Sequence, residues 1–337
     1  MKRNNILYIG NNLTKKINYA TSMDVLSNLL KSEGFTIYKS SSKSYKVLRL
    51  LDMCFAILRY TSKVDYVLID AFSTFNFYYA LITSQLCRLC NLKYLPILRG
   101  GNLPYRLKQN QILSSLIFNN SYQNIAPSGY LKFEFEKRGY TTLLISNVIP
   151  IVNYNFKNRQ KLHPRLLYVR AFAKIYNPTM AIEVLKELKN TYSKATLCMV
   201  GPDKDGTLDD VQQLIHKYDL KGSVEITGVL SKNEWHKKSE EFDIFINTTN
   251  VDNTPISVIE AMALGLTIVS TNVGGMPYLV ENNIDGVLVD KNNATAMAVR
   301  IIEILDKNSI SLAKNARIKS ESFDCNIVKN NWVEILK

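Results

Sequence analysis

Ile244-Phe245-Ile246-Asn247 is followed, four residues later, by Asp252-Asn253-Thr254-Pro255-Ile256-Ser257-Val258-Ile259-Glu260-Ala261-Met262-Ala263-Leu264-Gly265. The first run predicts a strand that ends at Asn247, and Pro255 supplies the fixed φ of a first helical turn. A strand that passes through a loop into a helix is half of a βαβ unit, so the segment predicts a parallel sheet. Ligands of such sheets lie beyond the carboxyl ends of the strands. Asp252 stands in that loop and Glu260, eight positions on, stands inside the helix. Two carboxylates so placed can bracket a polyhydroxylated ligand, while the helix N-terminus that Thr254 and Pro255 lead into offers the free N–H groups of its first turn, Ile256 and Ser257 among them, to a phosphate. The plain structural alternatives are a helix cap for Asp252 and a surface ion pair for Glu260.

The alternation extends outward in both directions. Strands are predicted at 166–169, 195–200, 224–227, 267–270 and 286–289, each followed by a segment of helical length. Arg170 ends the first of these, with Lys174 in the same turn; Gly201 and Gly228-Val229-Leu230 leave the next two. An arginine and a lysine at the mouth of a cleft suit a diphosphate, against the alternative of solvated surface charge. The pattern breaks over 147–164, which is rich in proline and asparagine, and resumes upstream with strands at 5–9, 35–39, 65–70, 93–98, 124–127 and 142–145. A helix at 20–31 places Met23, Val25, Leu26, Leu29 and Leu30 on one stripe and ends at Gly34. The expected organisation is α/β, with two doubly wound Rossmann-like domains in tandem: 1–155, joined by a C-terminal helix over 322–337, and 156–321.

Two turns of the first half invite a ligand. Gly10-Asn11-Asn12-Leu13-Thr14-Lys15-Lys16 matches neither a phosphate loop, which needs glycine before the lysine, nor a GxGxxG turn. It leaves Gly10, where backbone can approach a ligand or an interdomain surface, or simply turn. Arg99-Gly100-Gly101-Asn102 follows a strand and precedes a proline-bearing helix, a place for an anion or an ordinary turn.

Charge sharpens the division. The 337 residues carry a net +13, of which residues 1–150 hold +12 (19 basic, 7 acidic) and the remainder +1 (23 basic, 22 acidic). Such asymmetry calls for an anionic partner, a membrane surface or nucleic acid. No RRM, KH or zinc-finger pattern is present, so no nucleic acid is expected. The uncharged stretch 71–87 is shorter than the roughly 20 apolar residues that cross a bilayer. Met1-Lys2-Arg3-Asn4-Asn5 lacks the apolar core of a signal peptide. Five cysteines without framework spacing place the chain in a reducing cytoplasm, free or peripherally attached to the cytoplasmic face of a membrane. Cys87-Arg88-Leu89-Cys90 has no second ligand pair, and His163, His216 and His236 are scattered, so no metal site is expected. The aromatic run Phe72, Phe75, Phe77, Tyr78 and Tyr79 predicts a buried helix, membrane insertion being the alternative. Trp235 and Trp332 have no assignable role.

Val169-Arg170, Met199-Val200-Gly201-Pro202, Ile226-Thr227-Gly228-Val229, the 252–265 segment, Ser270-Thr271-Asn272-Val273-Gly274-Gly275 and Asp285-Gly286-Val287-Leu288-Val289 together resemble a GT-B glycosyltransferase of family 4. The similarity covers nearly all of 147–337. The first half resembles the family's acceptor domain through Ser128-Gly129-Tyr130-Leu131 and Asn147. The resemblance implies two domains facing each other across a cleft, the first binding acceptor and the second a nucleotide sugar of UDP or GDP type. It implies that Glu260 is the second acid of the E-x7-E motif and holds ribose hydroxyls, and that Asp252 stands for the first acid, usually glutamate, which contacts the sugar. Arg170 matches the diphosphate-binding arginine; the family's lysine aligns nearer Tyr176, with Lys174 the closest candidate. Gly228-Val229-Leu230 would lie against the base and Pro255 to Ser257 against the diphosphate, with Gly10 and Gly201 also on the donor side. The family's acceptor-side histidine is unmatched, and Arg99-Gly100-Gly101-Asn102 stands near its place.

The implied reaction is sugar transfer with retention, without a required metal, to a glycan or lipid-linked acceptor of cell-surface polysaccharide synthesis. Arg170 and Lys174 would meet the charge that develops on the leaving diphosphate. The same architecture serves nucleotide-sugar 2-epimerases and phosphorylases, and a non-catalytic nucleotide-sugar-binding subunit is a further alternative. Donor consumption that requires an added acceptor separates the transferase from an epimerase.

Overall fold

The computed structural model of the chain describes residues 5–10 and 21–337. Met1-Lys2-Arg3-Asn4 and the 11–16 part of the first turn lie outside the described residues. Two compact units emerge, Met1–Ile149 with Phe323–Lys337, and Pro150–Ser322.

The first unit is built on strands β1 (Asn5–Ile9), β2 (Thr36–Ser40), β3 (Tyr66–Ala71), β4 (Lys93–Leu98), β5 (Asn124–Ala126) and β6 (Thr142–Leu144). They form one parallel sheet in the order β2-β1-β3-β4-β5-β6. Strand side chains alternate between faces, and both faces are covered, which is why these strands read as unbroken apolar runs. Leu7 and Ile9 join Met53, Ile57 and Phe77 in one core; Ile6 and Tyr8 join Met23, Leu26 and Leu30 in the other. The Ser22–Ser32 helix starts from a capping box between Thr21 and Asp24. The Cys325–Leu336 helix returns to this unit, inserting Val328, Trp332 and Leu336 beside Ile6 and Tyr8.

The second unit repeats the plan with β7 (Arg165–Val169), β8 (Thr196–Val200), β9 (Val224–Gly228), β10 (Ile244–Asn247), β11 (Thr267–Thr271) and β12 (Val287–Val289). Its parallel order is β12-β11-β10-β7-β8-β9. All twelve predicted strands are present, with ends displaced by no more than one residue. In each unit the first strand is central and the chain winds outward first on one side, then on the other. The switch points, where ligands of such sheets bind, therefore lie between β1 and β3 and between β7 and β10.

Two expectations need correction. The chain changes unit at Ile149–Pro150 and Ser322–Phe323, not at 155/156 and 321/322. Residues 150–155 are bound into the second unit because Tyr154 donates to Glu260 (2.8 Å) and its carbonyl accepts from Arg317 (3.0 Å), and buried Arg159 fixes the rest of the stretch by donating to the carbonyls of Phe242 (2.8 Å), Gly265 (2.8 Å) and Ser239 (3.0 Å). The aromatic run splits by helical phase: Phe77 and Tyr79 are buried, whereas Phe75 and Tyr78 face solvent. Cys87 is buried, which pushes its thiol up to about 12, and Trp235 and Trp332 are core residues. Among the described residues no helix is long and apolar enough to cross a membrane, and no group of three or more His, Cys, Asp or Glu could hold a metal ion.

Candidate functional site

The β7–β10 switch point brings Arg170 and Asp252 together. Arg170 leaves β7, and its backbone N–H bonds the Val200 carbonyl of β8 at 3.0 Å. Gly201, with φ +153°, lies so close that a Cβ there would stand 2.0 Å from the Arg170 carbonyl oxygen, so only glycine permits the two strand exits to touch. The guanidinium lies over the Tyr176 ring, 4.3 Å from its centroid, and donates a short hydrogen bond to Asp252 Oδ2. Its Nε is buried with no hydrogen-bond partner. Burial works against the cation, but Asp252 and Tyr176 outweigh it, so Arg170 holds its proton more firmly than a free arginine.

The Asp252 loop is seated from below. A Cβ at Gly274 (φ +51°) would stand 2.1 Å from the Asp252 carbonyl oxygen, and one at Gly275 would stand 2.0 Å from that of Asn253. Asp252 Oδ1 accepts from the Asn253 N–H at 2.9 Å. Asp252 does not cap the Ile256–Ala263 helix, whose N-cap is Pro255 with no side-chain cap bond, so the cap alternative gives way to the ion pair with Arg170.

Glu260 is 3% exposed, not a surface residue. Its Oε1 accepts from Tyr154 Oη at 2.8 Å and Lys232 Nζ at 2.5 Å, and neither bond uses Oε2. Both partners escaped the reading of the sequence. Lys232 opens the Lys232–Lys238 helix, fixed by a Ser231–Glu234 capping box directly after Gly228-Val229-Leu230. That box was a legible signal for where Lys232 sits, but not for its contact 28 positions away. Tyr154 lies in the 147–164 stretch, where the strand–helix alternation breaks and no contact is announced. Gly228 takes φ +71° at the end of β9, and Val229 is exposed beside it.

Lys174 is not brought to this cluster: it is exposed, its backbone N–H bonding Asp205 Oδ2 at 3.0 Å, and Tyr176 is the residue against Arg170. In the first unit Arg99 is engaged internally. Nε donates to Asp70 at 3.0 Å, one terminal nitrogen to Asn147 Oδ1 at 3.0 Å and the other to Tyr8 Oη at 2.9 Å. Burial pushes the Tyr8 phenol far above its ordinary value, Arg99 opposing and Asp70 adding to the shift. Tyr8 thus donates to Asp70 at 3.0 Å, and the three side chains pin the β1–β3 switch point. A Cβ at Gly10 would meet Asp70 Oδ2 at 2.6 Å, and one at Gly100 the Ser73 nitrogen at 2.8 Å. Gly101 lies beside these, and Asn102 precedes the Leu103–Gln109 helix as its N-cap without a side-chain bond. The structure therefore gives Arg99 a cross-linking role at the strand ends rather than an open cation.

His236, packed between Trp235 and Tyr154, has a buried Nε2 without a partner. Burial, then the Lys232 charge, lowers its pKa to about 4. A depressed histidine contributes stability that is complete above its unfolded value near 6.5 and lost as pH falls toward 4. His236→Phe, which sacrifices no hydrogen bond at Nε2, is expected to retain neutral-pH stability and to show a smaller loss between pH 6.5 and 4. Urea midpoints across that window check it; superimposable pH profiles would refute the assignment.

Residues 153–322 match the family model described as "Glycosyl transferases group 1". The amylovoran biosynthesis glycosyltransferase AmsK of Erwinia amylovora is 28% identical over 197 residues, 55% of this chain and 47% of that protein. The putative colanic acid biosynthesis glycosyltransferase WcaL of Escherichia coli K12 is 31% identical over 170 residues, 47% of this chain and 41% of that protein. The chain spans about half the length of the curated relatives it matches. Among solved structures, Anabaena HepE in complex with UDP and glucose superposes with a TM-score of 0.77 at 16% identity, covering 98% of each chain. A sucrose-phosphate synthase from Thermosynechococcus elongatus gives 0.83 at 16% identity, covering 99% of this chain and 98% of its own. At that identity the likeness establishes the fold, two Rossmann-like units of the GT-B type.

Proposed function

The chain belongs to the glycosyl transferases group 1 family, and on that premise we propose that it moves a sugar from a nucleoside diphosphate donor, of UDP or GDP type, to a glycan or lipid-linked acceptor with retention at the anomeric carbon. The setting in this reading is cell-surface polysaccharide synthesis on the cytoplasmic face of an anionic membrane. The names of the amylovoran and colanic acid relatives support that setting, and the UDP complex of HepE supports the donor class. The observation that carries the reading is Arg170 at the β7–β10 switch point, with a buried Nε donor that no group among the described residues satisfies.

The diphosphate would take that donor and the helix N-terminus at Pro255, Ile256 and Ser257. Ribose hydroxyls would bond Glu260, which Tyr154 and Lys232 hold in one rotamer through Oε1. The base would lie at Gly228-Val229-Leu230 and the sugar at Asp252, with the first unit holding the acceptor. As the C1–O bond to the β-phosphate breaks, its electron pair goes to the phosphate oxygen, whose growing charge Arg170 meets. The acceptor oxygen forms the new bond on the same face of C1, and its proton passes to the departing phosphate. No metal ion has a part in this scheme.

Calorimetry on two variants tests it. Glu260→Gln should weaken free nucleoside diphosphate and intact donor alike, by about 1–3 kcal/mol for a lost charged hydrogen bond. Asp252→Asn releases Arg170 from its carboxylate, so nucleoside diphosphate affinity should hold or rise while turnover in EDTA falls. Equal losses of nucleoside diphosphate affinity in both variants would reduce Asp252 to an anchor for Arg170. Donor consumed without acceptor would point to an epimerase.

A further inference from the structure

The Lys46–Tyr60 helix is apolar on two opposite sides. Met53, Ala56 and Ile57 face the core of the first unit. On the outer side Val47 (70%), Leu48 (52%), Leu51 (59%), Phe55 (61%) and Leu58 (58%) are exposed. Residues 48, 51, 55 and 58 follow helical spacing, so they form one continuous stripe. The neighbouring Asn76–Leu89 helix, joined to the first by a hydrogen bond from Tyr79 Oη to the Lys46 carbonyl at 3.0 Å, carries a second stripe of Phe75, Tyr78 and Ile82. Lys46 Nζ lies 5.1 Å from the Phe75 ring centroid, so the second stripe begins beside the first turn of the Lys46–Tyr60 helix. Scattered exposed apolar residues are ordinary, but stripes on two neighbouring helices mark a contact surface.

The charge around it has one sign. Segment 41–63 holds Lys43, Lys46, Arg49, Arg59 and Lys63 against the single acid Asp52. Lys43 and Lys46 stand at one end of the helix and Arg59 and Lys63 at the other, all exposed, while Arg49 is buried. Leucine, phenylalanine and tyrosine on a face bounded by lysine and arginine have the composition of a helix lying in a lipid headgroup layer. We infer that the outer faces of the Lys46–Tyr60 and Asn76–Leu89 helices lie in an anionic bilayer, the apolar side chains entering the acyl boundary and the four exposed cations meeting lipid phosphates. The inference rests on the membrane part of the reading above and names the surface that makes contact; it does not depend on the transfer chemistry.

Vesicle flotation decides it, with phosphatidylcholine alone and with phosphatidylcholine containing phosphatidylglycerol, at low and high salt. The wild-type chain should float with the anionic vesicles and lose binding as salt screens the cations. The double variant Leu51→Glu, Phe55→Glu places its charges in solvent in the free protein, so it should fold, and its partition should fall at least about tenfold. Circular dichroism and a thermal shift with nucleoside diphosphate check the fold and the donor site independently. Undiminished flotation of the double variant would overturn the assignment of this face while leaving membrane attachment intact. No flotation of wild type would overturn both, and nucleoside diphosphate binding would still report separately on the donor site. Concentration-dependent self-association without vesicles, abolished in the double variant, would make the face a contact between copies and overturn the lipid assignment.

Discussion

Arg170→Met is expected to lower kcat/KM for the nucleotide-sugar donor by about a hundred- to a thousandfold, the loss typical of one preorganised donor to a developing oxyanion. Nucleoside diphosphate affinity should fall with it, because the ground-state diphosphate already carries charge. Arg170→Lys keeps the charge but loses the planar group stacked on Tyr176 and the unsatisfied Nε, so it should recover only part of the rate. Methionine also leaves Asp252, 9% exposed, without its cation, so unfolding must be measured alongside turnover. Steady-state kinetics on both variants, with calorimetry for nucleoside diphosphate, gives the result; wild-type turnover in the methionine variant would remove Arg170 from the mechanism.

The largest loss of stability is expected at Arg159. Its guanidinium, 3% exposed, pairs with Asp243, 2% exposed, at 3.2 Å, besides its bonds to Ser239, Phe242 and Gly265. Burial lowers the pKa of Arg159 and Asp243 opposes the shift, so the cation is held by its partners rather than by solvent. Arg159→Met keeps most of the packing but strands those carbonyls and one oxygen of Asp243, whose other oxygen accepts from Arg165 at 2.9 Å and from the His163 N–H at 3.2 Å. Breaking a buried pair from one side costs about 3–5 kcal/mol. The exposed Lys161→Met should stay within about 0.5 kcal/mol of wild type. Urea unfolding of both variants checks the contrast, and equal midpoints would show that the clamp contributes nothing.

Arg159 also shows where reading the sequence stopped. Strands such as Ile244–Asn247 were legible because a parallel strand covered on both faces must be apolar throughout, a property carried by adjacent residues. The contacts of Arg159 run 80 to 106 positions along the chain, and those of Tyr154 to Glu260 run 106, so no local pattern announced them. Glu260 and Arg170 were visible from strand–turn–helix spacing. Lys232 was not, because a lysine in a first helical turn is ordinarily solvated. Lys174 was chosen as the nearest cation to the position that Tyr176 occupies, whereas Tyr176 itself meets Arg170 through its ring face. Phe75 and Tyr78 were assigned with their buried neighbours Phe77 and Tyr79, since composition alone does not say which phase of a helix faces inward.

The return of Trp332 to the sheet of the first unit bears on the order in which the two cores can be completed during synthesis. Ile6 and Tyr8 leave the ribosome early, yet the residues that close their side of the sheet are translated only after all of Pro150–Ser322. At roughly 5–20 residues per second that interval is on the order of 10 to 40 seconds. The later-made unit, whose chain is continuous, can therefore complete its core first, while the earlier one waits with an apolar groove open to chaperones and to neighbouring nascent chains. The unit begun first is thus the one whose core is closed last in synthesis, and it is the half of the chain that carries the positive charge.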